Sequence, residues 1–509
     1  MRCSGSIGFA LFAVATLQTA AVAAPLPDAG REILAPGFTI HSPGAPWSMQ
    51  SYYPGQRKDG SLNGQFVLTF AVSATAKVDP LITYLRFGDD SNAVILVSGA
   101  VSAKQTGDLQ SVADVLMRRM KERAETEPRE SSRIHYVSSK LTPTVLNGAP
   151  CVRRDAAYED RGVLHHEGDV FTFSLHEIMC ANPEFPAFTA RVEYSVRLAP
   201  GAKPFITDEA GLDVLNSLKF KHLGHRVSLI PVGYGPKGLA EADGALWVTY
   251  GGDRGYVARI DPKTNTVVAR IPVGNHPIGI AADASGLWVA NNGDSTVSHI
   301  DPAKNVVVAT IPVPKAPQSV ASGAGAIWVS ASGAGSVLRI DPKSGKFIEI
   351  SNVGTMPAGI AVVGGSVFVT DYRGDKILRI DPATNKVADT LSNAPFSNVI
   401  IADGQYLWAN SMSPAAVLRH EHGAAKTAPV KFVLPDTDMP IGLASWSGKL
   451  WVANWGGASI AVRDPARPDA SGELLPVGVG PVNFIVAQGA LWITVLEAGN
   501  GYVLRFDPE

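Results

Sequence analysis

From Arg226 to Glu509 the apolar and polar positions repeat with a period of about 40 residues, and the unit occurs seven times. Its most regular position is an aromatic residue followed by a short apolar one: Trp247-Val248, Trp288-Val289, Trp328-Val329, Phe368-Val369, Trp408-Ala409, Trp451-Val452 and Trp492-Ile493. Successive aromatics are 41, 40, 40, 40, 43 and 41 residues apart. Eleven residues before each stands a proline that opens an apolar strand (Pro236, Pro277, Pro317, Pro357, Pro440, Pro481), with Ser397 in its place once. A Gly or Asp-Gly turn leads into the aromatic strand. A third strand then ends in Asp-Pro, as at Asp261-Pro262, Asp301-Pro302, Asp341-Pro342 and Asp381-Pro382, and a fourth, such as Thr266 to Val273, completes the unit. The segments are short, β-branched and bounded by Gly, Pro, Asp and Asn, which suits strands and not helices. Four antiparallel strands at this period describe one propeller blade.

The array opens with a fourth-strand sequence, residues 226–232, before any first strand, and its seventh unit lacks a fourth strand of its own. The early strand is therefore expected to close the seventh blade beside Tyr502 to Phe506, leaving no free sheet edge between first and last units. The expected fold class is mainly β: a C-terminal seven-bladed propeller preceded by a small α+β domain.

The segment before the ring divides by composition. Residues 1–23 have a basic start, a short apolar run and the small-residue site Ala21-Val22-Ala23, the pattern of a secretory signal. Residues 24–63 read as an irregular leader, 64–220 as the α+β domain and 221–225 as a linker to the ring at 226–509. Strands are expected at Phe66 to Val72, Leu81 to Phe87, Ala93 to Val97, Ile134 to Ser138, Val170 to Leu175 and Phe188 to Leu198. Helices are expected from Gly107 to Glu127, where Leu109, Val112, Val115, Leu116 and Met120 share a face, and from Asp208 to Leu218. Cys151 and Cys180 make an even pair in an exported chain and are expected to form one disulfide.

With 44 basic and 46 acidic residues the chain lacks the footprint of a nucleic-acid binder. No stretch is long enough for a transmembrane segment, so a periplasmic or secreted protein is expected. No cofactor or metal is implied. The densest titratable group, His165, His166, Glu167, Asp169, His176 and Glu177, reads as residues flanking a hairpin turn, because adjacent histidines on a strand point to opposite sides.

On the ring, strand order sorts the loops onto two faces. One carries the near-identical Asp-Gly and Asp-Pro turns, where Arg259, Arg339, Arg379, Arg419 and Arg505 are expected to pair with aspartates. The other varies, and variable loops on a regular scaffold are where binding resides. Its candidate ligand-binding residues are Tyr234, Tyr250, Asn291, Asn292, Tyr372, Arg373, Asn454 and Trp455, a set suited to a protein, a peptide or a small neutral ligand. Trp455 stands out because it lies off the repeated aromatic position. Were the ring an enzyme, His276 with Asp294 or Asp371 would be its acid and base.

The run Leu287-Trp288-Val289-Ala290-Asn291, followed by Ser295 to Pro302 and Val306 to Val313, resembles the YVTN-type β-propeller repeat of secreted and surface-layer proteins. The resemblance covers residues 226–509 and implies the fold far more than an activity. Gly235 to Leu239 and Gly244 to Thr249 are also distantly similar to repeats of virginiamycin B lyase, a seven-bladed, magnesium-dependent family that linearises a cyclic antibiotic. That family carries a histidine after the opening Gly-Pro and a glutamate after the aromatic strand. Here the first positions hold Lys237, Ile278, Gln318, Ala358, Asn398, Ile441 and Val482, and the second Tyr250, Asn291, Ala331, Asp371, Ser411, Asn454 and Val495. The expectation is thus a non-catalytic binding module of the cell envelope, with a lyase-like or hydrolase-type enzyme acting at the pore as the alternative and a structural envelope role as the third reading.

Overall fold

The structure, a computed structural model, describes residues 32–35, 38–41, 48–56, 62–73, 92–101, 114–118, 120–121, 134–161, 168–202, 208–251, 255–392, 395–404, 406–421, 428–434, 439–470, 472–496 and 501–508. The expected signal segment, the Leu81 to Phe87 strand and His165, His166 and Glu167 lie outside these residues. The ring consists of seven four-stranded antiparallel sheets. Blade 1 runs through Pro236–Ala242, Ala245–Tyr250, Tyr256–Asp261 and Thr266–Pro272. Blades 2 to 7 have innermost strands Pro277–Asp283, Pro317–Gly323, Pro357–Val363, Ile400–Asp403, Pro440–Trp446 and Pro481–Ala487. His225–Pro231 pairs antiparallel with Tyr502–Pro508 as the outer strand of blade 7, in register from His225 opposite Pro508 to Pro231 opposite Tyr502. The innermost strands of blades 1 and 7 are neighbours, so the ring is closed.

The repeated aromatics hold adjacent blades together. Trp247 of blade 1 packs with Ile280, Leu287 and Val289 of blade 2, and Trp288 with Val320, Ile327 and Val329 of blade 3. The pattern continues to Trp492 of blade 7, which packs with Leu239, Leu246 and Val248 of blade 1. All six tryptophans of the repeat are at most 1% exposed. Burying so large a ring contributes more than the roughly 1.5–3 kcal/mol of an aliphatic side chain.

Two polar devices reinforce this packing. On the uniform face, the aspartates of the Asp-Pro turns accept their own turn's N–H groups, as Asp261 does from Lys263 at 2.9 Å. The expected pairing with aspartates is made by Arg259 with Asp243 at 2.9 Å and by Arg505 with Asp507 at 2.7 Å, and the arginines also reach into the next blade. Arg259, Arg339 and Arg419 donate to the carbonyls of Pro302, Pro382 and Pro465 in the next blade, and Arg505 donates to Pro262 in blade 1. Each guanidinium also covers its own blade's Trp ring, at 4.9–5.8 Å. A carbonyl suits an arginine already held against a ring, since the next turn's carboxylate is occupied by its own amides. Near the axis, the Thr249 hydroxyl accepts from Gly238 N and donates to Ile278 O of blade 2, both at 2.8 Å. Ser330 joins Ser319 N to Ala358 O, and Thr494 joins Asn483 N to Lys237 O across the closure. Asn410 does the same with its amide, from Val399 N to Pro440 O. In blades 2 and 6 alanines, Ala290 and Ala453, occupy this position.

Before the ring lies a seven-stranded antiparallel sheet, in the order Ser48–Gln56, Leu62–Ser73, Asn92–Val101, Phe188–Leu198, Phe171–Ala181, Ala149–Asp160 and Ile134–Leu146. The 24–63 stretch is not irregular throughout. It supplies Ser48–Gln56 to this sheet and Glu32–Ala35 with Phe38–His41 to a small sheet completed by Lys219–Phe220. These strands are short or lie beside Pro and Gly, so local alternation does not reveal them. Cys151 and Cys180 are register partners joined by a disulfide. Helix Asp208–Asn216 lies on Tyr194, so closely that a Cβ at Gly211 would meet the ring at 2.4 Å. One continuous core contains Phe38, Phe188 and Leu218 of this domain and Trp451, Leu475 and Phe506 of blades 6 and 7. His225 packs at that junction, 5.2 Å from Trp446 and 5.5 Å from Trp451.

The hydroxyl bridges set a stability test. Ser330→Ala should lower unfolding free energy by roughly 1–3 kcal/mol, because it leaves buried backbone groups unpaired. Ala290→Ser, which introduces the missing bridge, should raise it by up to about 1 kcal/mol in denaturant unfolding. A second test concerns His420, 4% exposed, opposite Leu407 where other blades place Ile260, Ile300, Ile340 or Ile380. Burial pushes its pKa down from 6.5 to about 4. Between those values the unfolded chain binds the proton and the folded ring does not, so stability present at neutral pH is lost as pH falls through this window. The loss is roughly 3 kcal/mol, and His420→Leu should remove that part of the pH dependence in unfolding curves taken between pH 7 and 4.

Candidate functional site

The variable face is built from loops that enter each innermost strand and turns that leave each aromatic strand, locked by backbone hydrogen bonds. Gly251 N donates to Gly235 O, Asn292 N to His276 O, Ser332 N to Ala316 O, Tyr372 N to Met356 O, Trp455 N to Met439 O and Leu496 N to Gly480 O, at 2.9–3.2 Å. The residue just before the opening position is left-handed in six blades: Gly235, His276, Ala316, Phe396, Met439 and Gly480. The positive φ of His276 is therefore a property of the repeat and not a strain particular to a site.

Of the acid–base candidates, Asp371 is fully buried at the end of the blade 4 aromatic strand. Its carboxylate accepts from Thr355 N at 3.0 Å and Met356 N at 2.8 Å. Gly354 and Gly374 close over it, and a Cβ at either would meet Asp371 Oδ2 at 2.5 and 1.9 Å. Asp294 is exposed and accepts from Asn275 N at 2.6 Å. His276 is exposed in blade 2, adjacent to the loop Asp294 holds, while Asp371 stands two blades away. Among the described residues no three His, Cys, Asp or Glu side chains converge on a point that would hold a metal.

The amide candidates are largely internal. Asn291 is fully buried and donates to Thr296 Oγ1 and Ser298 Oγ, both at 2.9 Å; Asn454 is fully buried as well. Asn292 donates to Pro317 O of blade 3. The aromatic candidates lie nearer the surface. Tyr234 is 56% exposed, and Tyr250 stacks on Tyr256 with centroids 4.0 Å apart. Trp455 is half-buried over the entry to blade 7, where a Cβ on Gly480 would meet its Nε1 at 2.5 Å. Tyr372 is half-buried and meets the ring of Phe396 edge-on at 5.6 Å, and Arg373 beside it is exposed. The face thus brings Tyr372 against Phe396, with Arg373 next along the turn, and holds Trp455 at the blade 6–7 junction.

Sequence reasoning overlooked two features. The buried hydroxyls Thr249, Ser330, Thr370 and Thr494 recur two residues after the repeated aromatic, and that spacing was a readable signal. Lys237 is half-buried at the mouth of blade 1, and burial lowers its pKa. A cavity of about 610 Å³ lies on the opposite, uniform face between blades 1 and 2, lined by Glu241, Asp243, Asp283, Ser285 and Asp301. Its carboxylates are engaged: Asp243 with Arg259, Asp283 with Ser285 and Trp288, and Asp301 with Lys304.

No family model matches the chain, and no curated protein matches it. Solved structures are similar to about half of it. Virginiamycin B lyase from Staphylococcus aureus is 17% identical, covering 55% of this chain and 99% of its own, with a TM-score of 0.47. Hydrazine synthase of Kuenenia stuttgartiensis is 17% identical, covering 54% of this chain and 96% of its own, with a TM-score of 0.47. The Cps50 (Swd1) β-propeller domain of Myceliophteria thermophila is 11% identical, covering 55% and 99%, with a TM-score of 0.45.

Asp371 organises the blade 4 loops, so Asp371→Ala should lower stability by roughly 1–3 kcal/mol by leaving the amides of Thr355 and Met356 unpaired. Amide hydrogen exchange should show faster exchange at those two positions, with blades 1 and 2 unchanged.

Proposed function

We propose that the chain is an exported, non-catalytic binding protein whose variable ring face takes a protein or peptide segment, or a small neutral ligand. One observation carries this reading. The two carboxylates that would act with His276 are engaged by backbone amides, Asp371 through both oxygens and Asp294 through Asn275 N. The aromatic rings of Tyr234 and Phe396, 56% and 43% exposed, remain open to solvent. Exposed aromatics on a rigid frame contribute binding energy at little entropic cost. Lyase-like or hydrolase chemistry would require His276 to act with Asp294 or Asp371, and the positions matching the lyase family's histidine and glutamate hold other residues, among them Lys237, Gln318, Tyr250 and Asn291. Export to a periplasm, or beyond it, is part of the same reading; the 1–23 segment and the Cys151–Cys180 disulfide support it.

The mature protein should bind members of a panel of peptides and neutral oligosaccharides in titration calorimetry, with affinity unaffected by chelator. Trp455→Ala and Tyr234→Ala should each weaken binding by about tenfold, the scale of an interface hot spot. Turnover of a cyclic or ester-linked substrate that disappears in His276→Ala would overturn the proposal. Fractionation of cells expressing the full chain should recover a periplasmic or secreted form whose first residue lies just after Ala23.

A further inference from the structure

The junction of blades 4 and 5 differs from the rest of the variable face. Phe396 occupies the left-handed position before the opening of blade 5, with φ of 52° and 43% exposure. That backbone is common to the repeat; what is particular here is an aromatic ring left open to water. That ring is met edge-on by Tyr372, and Tyr372 is itself anchored. The Asp371 carboxylate holds Thr355 N and Met356 N, and Met356 O in turn accepts from Tyr372 N at 2.9 Å. Arg373 follows on the same turn, exposed, with no hydrogen-bond, ion-pair or ring partner among the described residues. A preorganised aromatic pair beside an unpaired guanidinium matches a ligand that joins an aromatic side chain to a carboxylate. The guanidinium binds the carboxylate in a forked geometry, and the rings accept the aromatic side chain edge-to-face.

We infer that the blade 4–5 junction is a recognition station for an acidic peptide segment containing an aromatic residue, with Phe396 and Tyr372 taking the aromatic side chain and Arg373 the carboxylate. This rests on the binding-protein reading above and specifies its ligand. Asp371 acts as a positioning residue, through the loop that fixes Tyr372.

The test uses fluorescence anisotropy on the mature protein with three labelled, end-blocked peptides whose Gly-Ser arms flank Asp-Phe-Asp, Lys-Phe-Lys or Asp-Ala-Asp. The first should bind at least tenfold more tightly than either other peptide, and its affinity should fall as salt rises. Phe396→Ala should weaken binding of the first peptide about tenfold. Arg373→Gln should abolish the preference for the acidic peptide over the basic one, with thermal unfolding unchanged, which a merely structural role would not produce. Equal binding of all three peptides, or binding indifferent to both substitutions yet lost in Trp455→Ala, overturns the station while leaving the wider binding reading intact. Binding of neutral oligosaccharides with none of the peptides overturns the peptide assignment in the same way. Failure of every peptide and oligosaccharide to bind overturns both readings.

Discussion

Every blade of this ring is incomplete without its neighbour. A four-stranded sheet of this size cannot bury its own aromatic residue, so Trp247 is buried only when blade 2 is in place and Trp492 only when blade 1 is. The dependence runs round the circle and returns to its start through the pairing of His225–Pro231 with Tyr502–Pro508. The hydroxyl and arginine bridges follow the same rule, each joining one blade to the next, and Thr494 and Arg505 carry it across the closure to Lys237 and Pro262.

This constraint shapes the variable face. Because the loops at the strand mouths are tied by their own amides and carbonyls, little backbone polarity is left there to meet a ligand. The identity of the face resides in a few side chains that project from a frame common to all blades. Carboxylates that look chemical in the sequence, such as Asp371, prove to be internal fasteners, whereas Phe396, placed where other blades put Gly, Ala, His or Met, presents an aromatic ring to the surface. A rigid frame with exchangeable side chains favours recognition, since little conformational entropy is lost when a partner docks.

The ring was legible in the sequence because its signals repeat: the aromatic, the opening proline and the Asp-Pro turn each recur on period, and repetition separates them from noise. The seven blades and the closing strand could therefore be read without coordinates. The sheet before the ring was less legible. Ala149–Asp160 has charged residues on both faces, among them Arg153, Arg154, Asp155 and Glu159, so alternation fails there, and Phe38–His41 is only four residues long, with Lys219–Phe220 far along the chain as one of its two partners. At the candidate site, residue type was readable and orientation was not. Asn291 and Asn454 end the same aromatic strand that Tyr250 ends in blade 1, yet both amides are buried while the tyrosine reaches the surface region. Which side of a strand end meets water depends on the neighbouring loop, and that is not a local property of the sequence.

The closing pair also imposes an order in time. Arg226 and Asp507 lie 281 residues apart, yet they belong to adjacent strands of one sheet. As the chain emerges from a ribosome or a translocation pore, the first of these strands appears with the domain before the ring and has no partner until nearly all the blades have followed. Contacts of such long sequence separation form late. Throughout that interval the edge at His225–Pro231 is open, sheltered on one side by Trp446 and Trp451 only once blade 6 has formed. The ring is thus a clasp whose first half is made long before its second, and the interval between them is when a chaperone would have most to protect.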